Sequence, residues 1–190
     1  MYTPWGYEVE SLPPIISASD YQTITGRTAT DEAVKAASAA IRNVCGWHVA
    51  PSIECTASVV PNGRLLNLPA RYVSAISSVT ESGESLTSGD YEARQDGLIR
   101  RCGFRNWGQD WQGITIVYTA GFSLDAVPDL ADIAIKIIDA AQSVPVGVAS
   151  ETAGNVSISY DTAVSAVSAQ AALAYAFALA PYKLVSSHAA

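Results

Sequence analysis

Charge is scarce in this 190-residue chain, since Asp, Glu, Lys and Arg make up only 15% of it, against roughly 25% in an average soluble domain. A chain this poor in charge either covers its surface with Ser, Thr, Asn and Gly or buries part of that surface against other subunits. The charge that is present is mostly acidic and sums to −7. Affinity for nucleic acid depends on neutralising phosphates with cations, so this balance argues against a simple nucleic-acid binder.

Residues that do chemistry are also scarce. The chain has two histidines, His48 and His188, and three widely spaced cysteines, Cys45, Cys55 and Cys102, without a Cys-x-x-Cys pair. A zinc site would be hard to assemble from this set, and reduced, buried thiols are the expectation. No Walker loop, Gly-x-Gly-x-x-Gly or His-Glu-x-x-His occurs. We therefore expect no metal and no cofactor, and a small hydrolase that uses His48 or the aspartates is the least favoured function.

Signals for export and for a membrane span are weak. Residues 1–5 lack the basic and apolar regions of a signal peptide. Residues 162–182 carry no charge, but most of their apolar members are alanine and Ser165, Ser168 and Gln170 interrupt them. Bilayer spans need about 20 strongly apolar residues. This stretch therefore predicts a helix buried between protein surfaces, and we expect no membrane partner.

Hydrophobic periodicity predicts an α+β fold in a single domain over residues 1–190. About three main helices form a helical core, and antiparallel β-hairpins or a small sheet are inserted between the first and the second. Extended N- and C-terminal arms complete the prediction. The predicted parts are an N-terminal arm at 1–16, a helical segment at 17–50, a β-rich insertion at 54–119, a helical segment at 128–180 with a hairpin or flap at 146–160, and a C-terminal tail at 181–190.

Helix boundaries follow from capping residues. Ser19 and Asp20 predict a short helical turn that ends near Gly26. The first long helix is predicted to start at Thr28 or Thr30, and Gly46 is a natural stop. Further along the chain, a helix starts at Pro128 and ends before Pro145, and an alanine-rich helix covers residues 163–179.

Turn chemistry predicts two hairpins in the β-rich insertion. Strands at 54–60 and 64–68 flank Pro61-Asn62-Gly63, and strands at 90–94 and 98–101 flank Gln95-Asp96-Gly97. Further strands are predicted at 73–81 and 114–119, the second of which is β-branched or aromatic nearly throughout. A last hairpin at 146–160 would have its tip at Gly154-Asn155.

Two groups of residues are candidates for subunit contacts. The helix that starts at Pro128 is apolar on most sides, which is typical of helices buried in a core or an assembly. A basic cluster of Arg94, Arg100, Arg101 and Arg105 lies beside tryptophans and could bind nucleic acid, form an interface edge or face solvent. We favour the interface, and the predicted interface residues are Ile133, Ile135, Ile137, Ile138, Arg100, Arg101, Trp107 and Trp111.

Several short motifs occur in an order that resembles the head–tail connector (head completion, or adaptor) proteins of tailed bacteriophages. Each motif is weak by itself, and the order covers about residues 12–185. The motifs are Leu12-Pro13-Pro14, the end of the first long helix with Cys45-Gly46-Trp47, Leu68-Pro69, Tyr118-Thr119-Ala120-Gly121-Phe122, Val127-Pro128-Asp129-Leu130 and Ala180-Pro181-Tyr182-Lys183-Leu184.

The resemblance implies a structural adaptor of the virion neck, assembled in the host cytoplasm, with no enzyme activity and no cofactor. Such proteins form a ring beneath the portal protein, and for this chain the resemblance implies a ring of twelve copies. They extend the DNA channel towards a stopper or tail-completion protein. Double-stranded DNA passes through this channel without specific binding. A stopper or tail-terminator of the same neck region is the alternative, although those proteins are usually richer in β-structure.

The resemblance also places the C-terminal region of the chain against the portal. The residues predicted to dock there are Pro181, Tyr182, Lys183, Leu184 and Val185. We expect deletion of residues 181–190 to leave the fold intact and to abolish attachment to heads.

Overall fold

The computed structural model describes residues 1–103, 105–108, 113–143, 150–153, 156–159 and 164–184. The chain divides into two compact units. A β unit contains residues 1–12, 46–123 and 182–190, and a helical unit contains residues 13–45 and 124–181. Helices and antiparallel sheets are both present, which confirms the predicted α+β class.

A five-stranded antiparallel sheet forms the larger part of the β unit, in the order β1-β2-β8-β4-β5. Its strands are β1 (Glu8–Val9), β2 (Ile53–Val59), β4 (Val73–Glu81), β5 (Glu84–Ser85) and β8 (Ile114–Ala120). The predicted strands at 73–81 and 114–119 are thereby confirmed.

The central strand β8 shows why this sequence forms a half-buried sheet. Its alternate residues Ile114, Ile116, Tyr118 and Ala120 are buried, because successive side chains of a strand point to opposite faces. Strand β2 pairs with β8 along its whole length and buries Cys55, Ala57 and Val59 with the same period. Two register shifts interrupt the β4–β8 pairing, as bulges do where a strand bends.

A second sheet of three strands has the order β3-β7-β6, with β3 at Leu65–Asn67, β6 at Tyr91–Ala93 and β7 at Leu98–Arg101. The hairpin predicted around Asp96-Gly97 is confirmed as the antiparallel pair β6–β7. Gly97 is required in its turn, since its φ is +83° and an added Cβ would come within 2.8 Å of the Ala70 carbonyl oxygen.

The other predicted hairpin, of residues 54–60 with 64–68, is wrong. β2 lies in the five-stranded sheet and β3 in the three-stranded sheet. β8 occupies one edge of β2 along its whole length, and β1 pairs with Cys55 and Thr56 on the other edge. The Asn-Gly turn therefore carries the chain from one sheet to the other, and only an isolated bridge joins Asn62 to Leu65.

The N-terminal arm is extended and belongs in part to the β unit. β1 adds to the edge of β2, and the amino group of Met1 donates a hydrogen bond to the Val9 carbonyl at 2.6 Å. Tyr7, in the same arm, is fully buried. The apolar character of this arm is thus explained by packing within the chain.

The helical unit contains α1 (Ala18–Thr25), α2 (Asp31–Cys45), α3 (Pro128–Gln142) and α4 (Val164–Ala174). The last three pack on one another and correspond to the three predicted main helices. Single 3-10 turns lie at Leu124–Ala126 and Ala180–Tyr182.

Caps set the starts and ends of these helices. Ser17, and not the predicted Ser19, is the N-cap of α1, with its hydroxyl accepting from the Asp20 amide at 3.1 Å. Gly26 ends α1 with a φ of +70°, as predicted. Helix α2 begins directly after Thr30, whose hydroxyl accepts from the Ala33 amide at 3.2 Å.

Helix α4 is shorter than the predicted 163–179. Its α-helical part ends at Ala174, and residues 175–179 form turns instead. The amide of Tyr175 bonds to the carbonyl of Ala172 at 3.2 Å, an i→i+3 contact that tightens the helix end.

The predicted hairpin between α3 and α4 is also present. β9 (Ser150–Ala153) pairs antiparallel with β10 (Val156–Ser159). Its predicted tip, Gly154-Asn155, and the predicted helix stop, Pro145, lie outside the described residues.

Candidate assembly surfaces

His48 is a structural residue. It is fully buried, and its Nε2 lies 2.9 Å from the Ala120 carbonyl oxygen. Because a carbonyl only accepts, Nε2 carries the proton and Nδ1 accepts from the Tyr7 hydroxyl at 2.8 Å. The same hydroxyl accepts from the His48 amide at 3.0 Å. With both ring nitrogens engaged by the fold, the histidine is not arranged as a catalytic base.

Within the described part of the chain, no group of three or more His, Cys, Asp or Glu residues is placed to hold a metal ion. The helices of that part include none long and apolar enough to cross a bilayer. The described residues do form surfaces that could contact other proteins.

An aromatic cluster surrounds Phe122 in the β unit. The Phe122 ring is stacked on Tyr72 with a centroid distance of 4.9 Å. It meets Trp47 at 5.9 Å and Tyr182 at 5.6 Å edge to face, a favoured arrangement of aromatic pairs. Trp47 also donates its indole N–H to the Tyr182 carbonyl at 2.7 Å. Three of the short motifs that carry the family resemblance thus meet in one cluster.

Gly121 permits this arrangement. Its φ is +105°, and an added Cβ would come within 2.5 Å of the Pro51 carbonyl oxygen and 2.6 Å of His48 Nε2. Both distances are shorter than those that Cβ atoms keep from other heavy atoms in real structures. The neighbouring Phe122 amide then donates to the Val49 carbonyl at 2.8 Å. Glycine in the Tyr118–Phe122 motif is therefore explained by close packing and backbone conformation.

The residues predicted to dock on the portal differ in exposure. Tyr182 is buried and belongs to the aromatic cluster. Pro181 is exposed, Lys183 and Leu184 are half-buried, and Val185 lies outside the described residues. Removing residues 181–190 would take a core side chain from the β unit, contrary to the expectation that this deletion leaves the fold intact.

Arg101 of the basic cluster and the neighbouring Trp107 lie in the core. They are only 6% and 2% exposed, and the Arg101 guanidinium lies over the Trp107 ring at 5.2 Å. Arg101 also lies 3.1 Å from the Glu81 carboxylate and donates to the Asp90 carbonyl at 3.1 Å. Trp107 donates to the Arg64 carbonyl at 3.0 Å. Arg101 and Trp107 therefore pack within the chain, and little of their surface is accessible to a neighbouring subunit.

The remaining members of the cluster are exposed. Arg100 pairs with Glu92 on the adjacent strand, and Arg94 pairs with Asp96 at 2.7 Å. Both pairs are open to solvent and contribute little to stability. Arg105 is also exposed, whereas Trp111 lies outside the described residues. Arg100 therefore keeps the surface that an interface role requires.

The isoleucines of α3 also differ in their exposure to solvent. Ile133, Ile137 and Ile138 are buried on the face that packs within the helical unit, so their apolar surface is used by the chain itself. Ile135 is half-buried and lines a groove. Of the four isoleucines predicted at a subunit interface, Ile135 has the position that suits one.

This groove, which we call the acidic groove, lies in the helical unit and encloses about 650 Å³. Its apolar lining includes Ile24, Leu124 and Ile135, and three carboxylates, Asp20, Asp125 and Asp132, line it as well. Ile24 is 60% exposed, so its apolar side chain is accessible in the wall of the groove. Sequence reasoning missed the groove because its residues come from α1, α3 and the turn at Leu124–Ala126.

An ion cluster joins α1 to α3. The Tyr21 hydroxyl donates to Asp139 at 2.5 Å, and Arg27 donates to the same carboxylate at 2.8 Å. Burial raises the pKa of Asp139, but these two hydrogen bonds outweigh it and hold the pKa below its usual range. Sequence reasoning missed this contact also, because 118 positions separate Tyr21 from Asp139.

Helix α4 and the turns after it expose large apolar side chains. Phe177 is 94% exposed and Leu173 is 65% exposed. Ser165 and Ala169 precede them at four-residue spacing and are also exposed. This uncharged face is consistent with the predicted contact between protein surfaces.

The described part of the chain is thus an α+β fold with exposed apolar and charged surfaces. Neither a protein-family model nor a curated protein matches the chain. Solved structures do match, and they include chains of gene transfer agent particles. A chain in the neck of the native particle, computed with C12 symmetry, aligns with a TM-score of 0.55 and 18% identity, over 86% of this chain and 92% of the other.

Two further structures agree with this match. A chain in the neck of the empty particle, computed with C6 symmetry, has a TM-score of 0.56 and 16% identity, over 87% of this chain and 94% of the other. A chain in the virion of the native particle has a TM-score of 0.53 and 16% identity, over 86% and 93%. The chain therefore shares its fold with a component of these necks, which confirms the kind of fold expected from the motifs.

Proposed function

We propose that this chain is a structural adaptor of the neck of a tailed-phage-like particle. It forms a ring beneath the portal and joins the head to the tail. The observation that carries the proposal is the fold shared with a neck component over 86% of this chain. The ordered motifs support it independently, because their resemblance to head–tail connectors rests on sequence.

Electron cryomicroscopy of particles that contain this chain tests the proposal. We expect about twelve copies in a ring directly against the portal, with the stopper or tail-completion protein on the far side. A position beyond that ring would favour the stopper or tail-terminator alternative. A position away from the neck, or a single isolated copy, would contradict the proposal.

The portal contact is assigned to the C-terminal segment, Pro181 to Val185 and the residues that follow. Truncation after Leu184 tests it, because this change leaves Tyr182 and its contact with Trp47 in place. We expect the truncated chain to fold normally, with unchanged circular dichroism and unfolding temperature, and to lose attachment to heads. A Glu10→Gln variant is the control, since Glu10 is exposed on the N-terminal arm. Normal attachment of the truncated chain would refute a portal contact through Val185 and the residues that follow it.

The channel through the ring is expected to carry DNA without specific binding. Twelve chains of −7 each carry roughly −84, and like charge repels DNA over about a Debye length, near 10 Å in 0.1 M salt. Electrophoretic mobility shifts at 50 and 200 mM salt measure this property. Tight binding that weakens steeply with salt would favour the nucleic-acid interpretation of the arginine cluster instead.

A further inference from the structure

Of the three carboxylates of the acidic groove, one pairs with a cation among the described residues. Asp132 pairs with Lys136 of the same helix at 2.6 Å, in an exposed contact, and Asp20 accepts from the Ser17 hydroxyl at 2.6 Å. Asp125 is exposed and has no hydrogen bond or ion pair among the residues that the structure describes. Together with the exposed Ile24, these groups suit a partner that presents an apolar side chain beside a cation.

The three-stranded sheet presents such a pair. Leu65 on β3 lies directly opposite Arg100 on β7, and directly opposite residues of paired strands share one face of the sheet. Leu65 is 41% exposed, although it is a large apolar residue. Arg71, Arg94 and Arg105 are also exposed near this sheet. We call the surface around Leu65 and Arg100 the basic face.

We infer that the acidic groove of one copy binds the basic face of the next copy. This inference rests on the proposed function, because a cyclic ring is built from contacts between two different surfaces of the same chain. Copies that each carry −7 repel one another on average. A contact at which opposite charges meet offsets part of this repulsion, and the chain carries both halves of one.

In this contact Leu65 packs against Ile24 and Ile135, and Arg100 pairs with Asp125. The apolar part supplies burial, and the charged part sets the register and rejects wrong orientations. Ile135 and Arg100 both take part. They are the predicted interface residues that still have exposed surface in the described part of the chain. The exposed pair of Arg100 with Glu92 can be given up at little cost, since such pairs contribute little.

Charge reversal tests the contact with the full-length chain. The variants are Asp125→Arg, Arg100→Asp and the two combined, and their self-association is measured by sedimentation equilibrium up to about 1 mM protein in low salt. We expect each single reversal to weaken association about tenfold or more, because it places like charges together. The combined variant restores the pair with its sign exchanged, so it should return to within about threefold of the original chain.

A matched control separates this effect from net charge. Glu10→Arg and Asp125→Arg each change the net charge from −7 to −5, which by itself reduces repulsion and favours association. Of these two variants, only Asp125→Arg should weaken self-association. Circular dichroism and thermal unfolding confirm that each variant is folded.

Three outcomes of the sedimentation experiment would overturn the inference. They are a chain that stays monomeric at about 1 mM, an Asp125→Arg variant that behaves like Glu10→Arg, and a combined variant as weak as the singles. If the portal occupies the groove instead, Asp125→Arg lowers attachment to heads without changing sedimentation, which also overturns it. Each of these results leaves the neck position to be decided separately by particle imaging, so the two failures are distinguishable.

Discussion

The indole N–H of Trp47 donates a hydrogen bond to the main-chain carbonyl of Tyr182 at 2.7 Å, across 135 positions of sequence. The Tyr182 ring meets Phe122 edge to face on the same side. The chain after the last helical turn is thereby anchored in the β unit. A segment held in this way presents the residues that follow it from a fixed point, as the proposed portal contact requires.

Loss of the Tyr182 ring should therefore destabilise the fold. Tyr182→Ala removes a buried aromatic side chain, and we expect a loss of about 3–5 kcal/mol in the free energy of unfolding. Phe177→Ala is the matched control, since Phe177 is 94% exposed, and it should change stability by about 0.5 kcal/mol or less. Urea denaturation measures both. Equal effects would show that Tyr182 is not a core residue.

Two buried tyrosines should respond oppositely to loss of the hydroxyl group. Tyr7→Phe removes the hydroxyl that bonds to His48 Nδ1 and to the His48 amide, and should cost about 2–3 kcal/mol. The Tyr118 hydroxyl is buried without a hydrogen bond to any described residue. Tyr118→Phe should therefore be neutral or stabilising by about 1 kcal/mol. Thermal unfolding of the two variants at pH 7 compares them, and a larger loss for Tyr118→Phe would contradict the assigned network.

Gly121 should not tolerate a side chain. Gly121→Ala would bring the new Cβ against the Pro51 carbonyl and His48, and we expect a loss of about 3 kcal/mol or more. Gly83 has a similar positive φ of +86°, but an added Cβ meets nothing within 4 Å. Gly83→Ala isolates the backbone cost, about 1 kcal/mol. The difference between the two denaturation midpoints measures the close approach, and it would vanish if Pro51 could move away freely.

The contribution of Asp139 should depend on pH. Its pKa is held below the usual value in the folded chain, so the stabilisation is present above the unfolded pKa of about 3.9 and is lost as pH falls through the folded value. Asp139→Asn should cost on the order of 1 kcal/mol at pH 7, after allowance for its partial exposure, and less at pH 3. Asp132→Asn is the control, because its pair with Lys136 is exposed. A pH-independent difference would show that charge is not responsible.

The three cysteines should react at different rates. Burial, with a smaller effect of Glu54, raises the pKa of Cys55 to about 12, and the thiolate is the reactive form. Cys45 is also buried, whereas Cys102 is half-buried. A maleimide at pH 8 should label Cys102 first and the other two only after unfolding, as mass spectrometry of the peptides would show. Cys55→Ser leaves fast labelling unchanged if this order is correct, and abolishes it if Cys55 is the exposed thiol.

Local chemistry explains which elements could be predicted from the sequence. Thr30, Gly26 and Pro128 mark helix ends through hydrogen bonds and backbone angles that depend on near neighbours. The Asp96-Gly97 turn brings adjacent strands together for the same reason. The Asn62-Gly63 turn was misassigned, because whether two neighbouring strands pair depends on which edges other strands already occupy, and β8 comes more than fifty residues later.

The sequence by itself determined the α+β class, most helix and strand positions, and the scarcity of residues for chemistry, because these follow from periodicity, capping and composition. Only the tertiary structure decided which members of the predicted sets are buried and which are exposed. Arg100 and Arg101 are neighbours on one strand, yet Arg101 is enclosed by Glu81 and Trp107 while Arg100 faces solvent. The alternation of a strand separates them, and only packing against distant residues decides which face is covered.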